Sequence, residues 1–503
     1  MKSTRWVTIG LALTLTLYNI NAWVAPINDL LPKKPSLFGS CGTPVLPIQI
    51  GLSSVSSNLL SVIVTGYTGA NCSGLQDYQN IWSTPTPGAT IYPQTYNLCS
   101  NALLNAANSA CQTGMKSMSF QTIDSTGYKS PQGCQNVTCS GGTFTPSGTN
   151  WSVQASKPSG RMIGYLYGWQ TPPSATAIAA AGYTHVLIAF GLFSTSSSGT
   201  INIDAISGFN LATYIQSLHT SGLKVLLSIG GASTNIPNTT VDFDSAISQA
   251  TSPNAFENTF INNMIALKNT YGFDGFDFDI ESGLNSANSF ADASSGCSNS
   301  TYSSACDIFY LATIINNFHA QSPSSMITLA PQIANMAATA AFSPIWGNYA
   351  SLIMQTHASL AWVGFQNYNS GCAFGINGIC YPTTGTLTST TDPAVAFATD
   401  LLENWPTPTF NPYVSYLSPS QVVIGYVVVN GSGTSDGAPP AITSVTKQVI
   451  TCLRDYQNCN TYTPPSKYPG IGGVFAWSIN YDADNSYAFA TSLSACVVGG
   501  NCS

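Results

Sequence analysis

After position 160, apolar residues fall into short β-branched or aromatic runs, separated by longer stretches with a three-and-four spacing. The runs at 162–167, 185–190, 224–229, 275–281, 326–331, 362–368, 422–427 and 473–478 predict eight strands. Between them, Phe256, Phe260, Met264, Leu267 and Tyr271 mark one amphipathic helix, and Ile308, Leu311, Ile315 and Phe318 mark another. Strands alternating with helices in this way predict a (β/α)8 TIM barrel over 161–495. The competing architecture is an open doubly wound sheet, but its Gly-rich phosphate-binding turn is absent from the sequence.

Residues 36–150 have a different texture, rich in Gly, Ser, Thr, Pro and Cys. Strand-like pieces such as 60–64 alternate there with turn signals, and 100–111 fits a short helix. The reading is a small disulfide-rich, β-rich module ahead of the barrel. From about 140 to 160 the composition becomes that of a linker, with the joint itself at 151–160.

One stretch departs from ordinary strand chemistry: Phe273-Asp-Gly-Phe-Asp-Phe-Asp-Ile-Glu281. In an extended chain, alternate side chains point to opposite faces. Asp277, Asp279 and Glu281 then share one face, while Phe276, Phe278 and Ile280 bury against the other. Like charges so close are unfavourable, and Asp is a poor strand former. Such a row makes sense when the acids do chemistry, because close carboxylates keep one of their number protonated near neutral pH. A calcium loop is a poor fit: Gly275 precedes the acids and large aromatics fill the gaps. In a barrel, chemistry sits where the strands end, and Glu281 closes the fourth predicted strand.

Charge and cysteines narrow the picture further. Only 7% of the 503 residues are charged and the formal net charge is −7, which argues against nucleic acid or an anionic membrane as partner. A weakly charged, aromatic-rich surface suits a neutral polymer such as a polysaccharide. Lys2 and Arg5, the apolar run from Trp6 to Leu17 and then Asn-Ile-Asn-Ala22 read as a secretory signal over 1–22. That predicts a secreted, extracellular protein without a membrane anchor once the signal is removed. The fourteen cysteines fit an exported chain. Cys297 with Cys306, Cys372 with Cys380, Cys452 with Cys459 and Cys496 with Cys502 are close enough in sequence to staple short loops. Six more (Cys41, Cys72, Cys99, Cys111, Cys134 and Cys139) lie before residue 150, in one of fifteen possible pairings. The four histidines have no metal-ligand spacing, so no metal site is expected.

Asp274-Gly-Phe-Asp-Phe-Asp-Ile-Glu281 resembles the signature of the family 18 glycoside hydrolases, the chitinase family, which is Asp-Gly-X-Asp-X-Asp-X-Glu. Ser228-Ile-Gly-Gly231, Gln366-Asn-Tyr368-Asn369 and Gly473-Val-Phe-Ala-Trp477-Ser resemble three further motifs of that family, in the same order. The resemblance covers about 161–490 and says nothing of residues 36–150. It implies hydrolysis of chitin or N-acetylglucosamine oligosaccharides by a monomer without cofactor. It further implies that Glu281 is the general acid and that the substrate's own acetamido oxygen attacks the anomeric carbon. Asp279 would orient that acetamido group, with Asp277 behind it and Tyr368 donating to the attacking carbonyl. Trp477 would floor the sugar at the cleavage point. Gln366 and Asn369 are candidate sugar contacts, with the pairing of buried polar groups an equal account. Tyr165 is a further candidate for which barrel packing is the better account; His185 and Trp169 read as packing or loop residues.

The short connection between the seventh and eighth predicted strands, with one helix near 440–455, implies an open groove and internal cuts. An endo-β-N-acetylglucosaminidase acting on N-linked glycans is the nearest alternative. A sugar-binding lectin on the same barrel is another, disfavoured because all three acids are present. For residues 36–150, a carbohydrate-binding role through Tyr67, Tyr78, Trp82, Tyr92 or Tyr96 stands beside that of a plain spacer.

Overall fold

The computed structural model describes residues 160–502 apart from 286–295, 334–335, 337–348, 371, 383–389, 404–416 and 436–439, together with strand segments between 45 and 153. Eight parallel strands form the centre: β1 (Arg161–Tyr167), β2 (His185–Ser194), β3 (Lys224–Gly231), β4 (Gly275–Ile280), β5 (Met326–Leu329), β6 (Trp362–Gln366), β7 (Val422–Val427) and β8 (Gly473–Trp477). Each pairs with the next, and β8 returns to β1, so the sheet closes. The expected (β/α)8 TIM barrel is the observed fold, with every predicted strand in place. Each strand is followed by a helix: α1 (Ala175–Ala180), α2 (Leu211–Thr220), α3 (Pro253–Tyr271), α4 (Asp307–Gln321), α5 (Tyr349–Thr356), α6 (Asp392–Leu402), α7 (Thr443–Asp455) and α8 (Ala488–Val497).

Helix α3 shows how locally these elements are specified. The Ser252 hydroxyl accepts from the Ala255 N–H, Pro253 occupies the first turn, and Gly272 ends the helix at φ 84°. Phe256, Phe260 and Met264 are fully buried beneath it, as their spacing demands. On α4, Ile308, Leu311, Ile315 and Phe318 are likewise buried.

Two apolar layers result. The larger lies between the strands and the helices and takes Phe276, Phe278 and Ile280 from β4. The smaller fills the barrel itself, with Tyr165, Leu187, Leu226, Trp362, Val423 and Phe475 among its members. The alternation along β4 therefore sends its apolar residues outward and its acids inward.

Before the barrel, strands Leu59–Tyr67, Gln76–Ser83, Ser117–Asp124, Gly133–Ser140 and Thr143–Pro146 form one antiparallel sheet. Ile50–Leu52 pairs in parallel with Trp151–Val153. The stretch 140–160 is thus not linker throughout: two of these strands lie inside it. Ser140 pairs with Thr143, at the near ends of the strands Gly133–Ser140 and Thr143–Pro146. Disulfides Cys297–Cys306, Cys452–Cys459 and Cys496–Cys502 are formed as expected. The side chains of Cys372 and of the six earlier cysteines, residues 1–22 and the helix expected at 100–111 lie outside what the structure describes.

Candidate active site

Three neighbouring strands set the deepest layer of the site. Backbone register places Ser228 of β3 beside Asp277 of β4, and Thr328 of β5 on its other side. The Thr328 hydroxyl donates to Asp277 Oδ1 at 2.6 Å, and the Ser228 hydroxyl donates to Oδ2 at 2.7 Å. Tyr165 of β1 donates its phenol to the same Oδ2 at 2.9 Å. Burial pushes the Asp277 carboxyl up to about 6, against the pull of these three donors.

One register step higher, Gly230 pairs with Asp279. Gly230 has φ +114°, and a Cβ there would meet the Asp279 carbonyl oxygen at 2.3 Å. Any side chain would push β3 away from the acidic strand, which accounts for glycine at this point of the Ser-Ile-Gly-Gly run. Gly231, at φ +86°, leaves room in the same way for the Phe190 ring.

Gln366, at the end of β6, joins the two upper acids. Its Nε2 lies 3.0 Å from Asp279 Oδ1 and 3.2 Å from Glu281 Oε1, and also reaches the Ala330 carbonyl at 3.1 Å. Gln332, just past β5, donates to Glu281 Oε2 at 2.9 Å. Burial raises the Asp279 carboxyl well above the usual carboxylate range, and the charges of Glu281 and Asp277 add to the effect. Burial raises Glu281 as well, opposed by the amides of Gln366 and Gln332. The upper pair therefore retains a proton under conditions where surface carboxylates have lost theirs.

Above the acids opens a cavity of about 770 Å³, lined by Asp279, Glu281, Gln366, Tyr368, Asn369 and Trp477, among others. That size suits a ligand of several rings rather than an ion. Trp477 lies within 6 Å of Tyr165, Tyr167 and Phe190, nearly parallel to the last. Trp169 continues this aromatic surface outward: it stacks on Tyr167 at 4.7 Å, and 46% of its surface is exposed. No Lys, Arg or His is found among the described residues lining the cavity, which disfavours an anionic occupant.

Most of the sequence candidates thus converge. Asp277 and Tyr165 lie beneath the cavity rather than in its wall: the Tyr165 phenol is directed below the floor onto Asp277. The Tyr165 position on β1 faces the barrel interior one layer too deep for a ligand. His185 stays in packing, edge-on to Trp362 at the opposite end of the barrel. Trp169, by contrast, belongs to the site. Gln332, Thr328 and Phe190 are additions that sequence reasoning missed. Each had a signal: Phe190 closes and Gln332 follows a predicted strand at the end where barrels do chemistry, and Thr328 is a polar residue inside a buried run.

The sequence pattern of the glycosyl hydrolases family 18 matches residues 161–351. The C-terminal domain of Legionella pneumophila ChiA, known from its crystal structure, is 52% identical, with a TM-score of 0.62; the match covers 68% of this chain and 100% of that one. The chain belongs to glycoside hydrolase family 18. Chitinase Chi52 of Paenibacillus xylanexedens is 24% identical over 89% of this chain and 79% of that protein. A family 18 chitinase from Chromobacterium violaceum shares the fold at 21% identity and a TM-score of 0.51, over 73% of this chain and 94% of that one. As a family 18 glycoside hydrolase, the protein carries the family's acidic strand, with Asp279 and Glu281 lining the cavity and Asp277 buried beneath them.

Proposed function

We propose that the protein is a chitinase that cleaves β-1,4 links between N-acetylglucosamine units by a retaining, substrate-assisted route. The observation that carries this reading is the Gln366 amide bridging Asp279 and Glu281 in a cavity that Trp477 also lines. Glu281 donates its proton to the glycosidic oxygen as the bond to the anomeric carbon breaks. The acetamido carbonyl oxygen of the same sugar forms the new bond to that carbon, giving a cyclic oxazolinium ion, and the leaving sugar departs with the proton. Asp279, buried beside the acid, accepts from the acetamido N–H and offsets the positive charge of the ring. Tyr368 directs its phenol at the carbonyl oxygen, and Trp477 supports the apolar face of the sugar. Glu281, now a carboxylate, takes a proton from the incoming water, which opens the ring with the original configuration restored.

Names among the relatives, such as Chitinase Chi52, support chitin as the substrate class. Between β7 and β8 the described residues hold the single helix α7, which supports an open groove and cuts within the polymer. Residues 1–22 support export, and residues 36–150 a role in holding insoluble polymer. Glu281→Gln is the direct test: undiminished release of oligosaccharides from chitin by that variant ends the assignment. Cellulose and fully deacetylated chitosan should be inert, since neither carries the attacking acetamido group. Products should include trimers and longer chains from the outset; early release of disaccharide alone would contradict internal cutting. Turnover of a high-mannose glycoprotein in place of chitin would favour the endo-β-N-acetylglucosaminidase alternative. Chitin-bead pull-down of residues 36–150 tests the amino-terminal role.

A further inference from the structure

Glu281 accepts a hydrogen bond on each of its oxygens, and the two donors come from adjacent strand ends. Gln366 serves Oε1 and Gln332 serves Oε2. The two glutamines are tied through their backbones, forming a parallel bridge in which the Gln366 N–H donates to the Pro331 carbonyl at 2.9 Å. Their obligations differ. Gln366 is almost fully buried, and its Nε2 is shared among Asp279, Glu281 and Ala330. Gln332 is half-buried on the cavity wall, and its amide is directed at Glu281.

A glutamine suits a carboxyl that must alternate between two protonation states. Its amide N–H groups stabilise a carboxylate, and its carbonyl can accept from a carboxylic acid if the amide turns over. The ionisable groups around Glu281 are Asp279 and Asp277 on its own strand, Tyr165 from β1, Tyr368 after β6 and Tyr349 from α5. The carboxyls among them oppose ionisation, and none of these groups supplies positive charge. Relief comes from the two glutamines, and only Gln332 acts on Glu281 without also holding Asp279.

We propose that Gln332 is a positioning residue, which orients the Glu281 carboxyl and governs the pH at which it releases its proton. The inference rests on Glu281 acting as the general acid and adds the group that tunes it. Gln332→Leu removes the donor, and Gln332→Glu replaces it with a competing carboxyl. Both variants should be measured in the full chain, on N-acetylglucosamine oligomers, from acidic to alkaline pH. In Gln332→Leu the basic limb of kcat/KM should move up by about one pH unit, the size expected for loss of one charge-assisted hydrogen bond. Gln332→Glu should move it further, with KM on the acid side little changed in either. A uniform drop in kcat with the limb unmoved would reduce Gln332 to packing and overturn the proposal. A raised KM with the limb unmoved would make it a sugar contact alone, with the same consequence. If melting curves show that Gln332→Leu does not fold, Gln332→Glu decides by the same criterion. Undiminished hydrolysis by Glu281→Gln would instead remove the reading beneath, a result distinct from a stationary limb.

Discussion

Two buried acids, thirty residues apart, meet opposite fates. Asp277 at the barrel centre and Asp307 at the start of α4 are both nearly inaccessible to water. Asp277 receives three hydroxyl donors, and burial lifts it only to about 6. Asp307 receives one backbone N–H, from Asn285, while the carboxyls of Asp244 and Asp242 stand nearby; burial first, and those neighbours second, push it up to about 9. Asp244 itself accepts from the Tyr302 phenol. Donor supply, more than depth, therefore decides whether a buried carboxyl ionises near neutral pH. The barrel's acids are built to change charge, and the α4 acid is built to remain neutral.

The largest expected contrast is in catalysis. Glu281→Gln should lower kcat by about 10²–10⁴-fold, the usual worth of a general acid, while leaving the melting temperature near that of the parent. Asp307→Asn should leave kcat within about threefold, because an amide replaces an already neutral acid. Parallel assays on soluble oligomers check both, and a large loss in Asp307→Asn would erase the distinction.

Removing a donor should push Asp277 toward the condition of Asp307. Thr328→Val is expected to cost about 1–2 kcal/mol of stability above pH 7, where Asp277 is ionised, and less near pH 5, where it is protonated. Urea midpoints at the two pH values give the comparison; equal losses would mean that Asp277 carries no charge in the folded protein.

The last contrast concerns Asp307 and the pH dependence of stability. Its folded-state carboxyl holds a proton up to about pH 9, whereas the unfolded chain releases it near 4. Between those values the folded state binds the extra proton, so this group makes stability fall as pH rises. Asp307→Asn should flatten that part of the profile, gaining a few degrees in Tm at pH 8 relative to pH 5. An unchanged slope would show that Asp307 is ionised where it lies.

The sequence by itself determined the barrel and the acidic strand. Both are periodic signals: alternation with period two sends Asp277, Asp279 and Glu281 to one side, and the three-and-four stripes of α3 and α4 require a sheet to cover. Only the tertiary structure decided which residues surround those acids. Ser228, Thr328, Tyr165, Gln332 and Gln366 come from four other strands or their ends, up to 112 positions from their carboxyl partners, and no local pattern links them. Tyr165 and Trp169, four residues apart, divide between floor and wall according to how far each lies along β1 and the loop beyond it. Side-chain period is encoded in the neighbouring residues of one chain segment, whereas proton affinity depends on distances across the closed barrel, which exist only once it has closed.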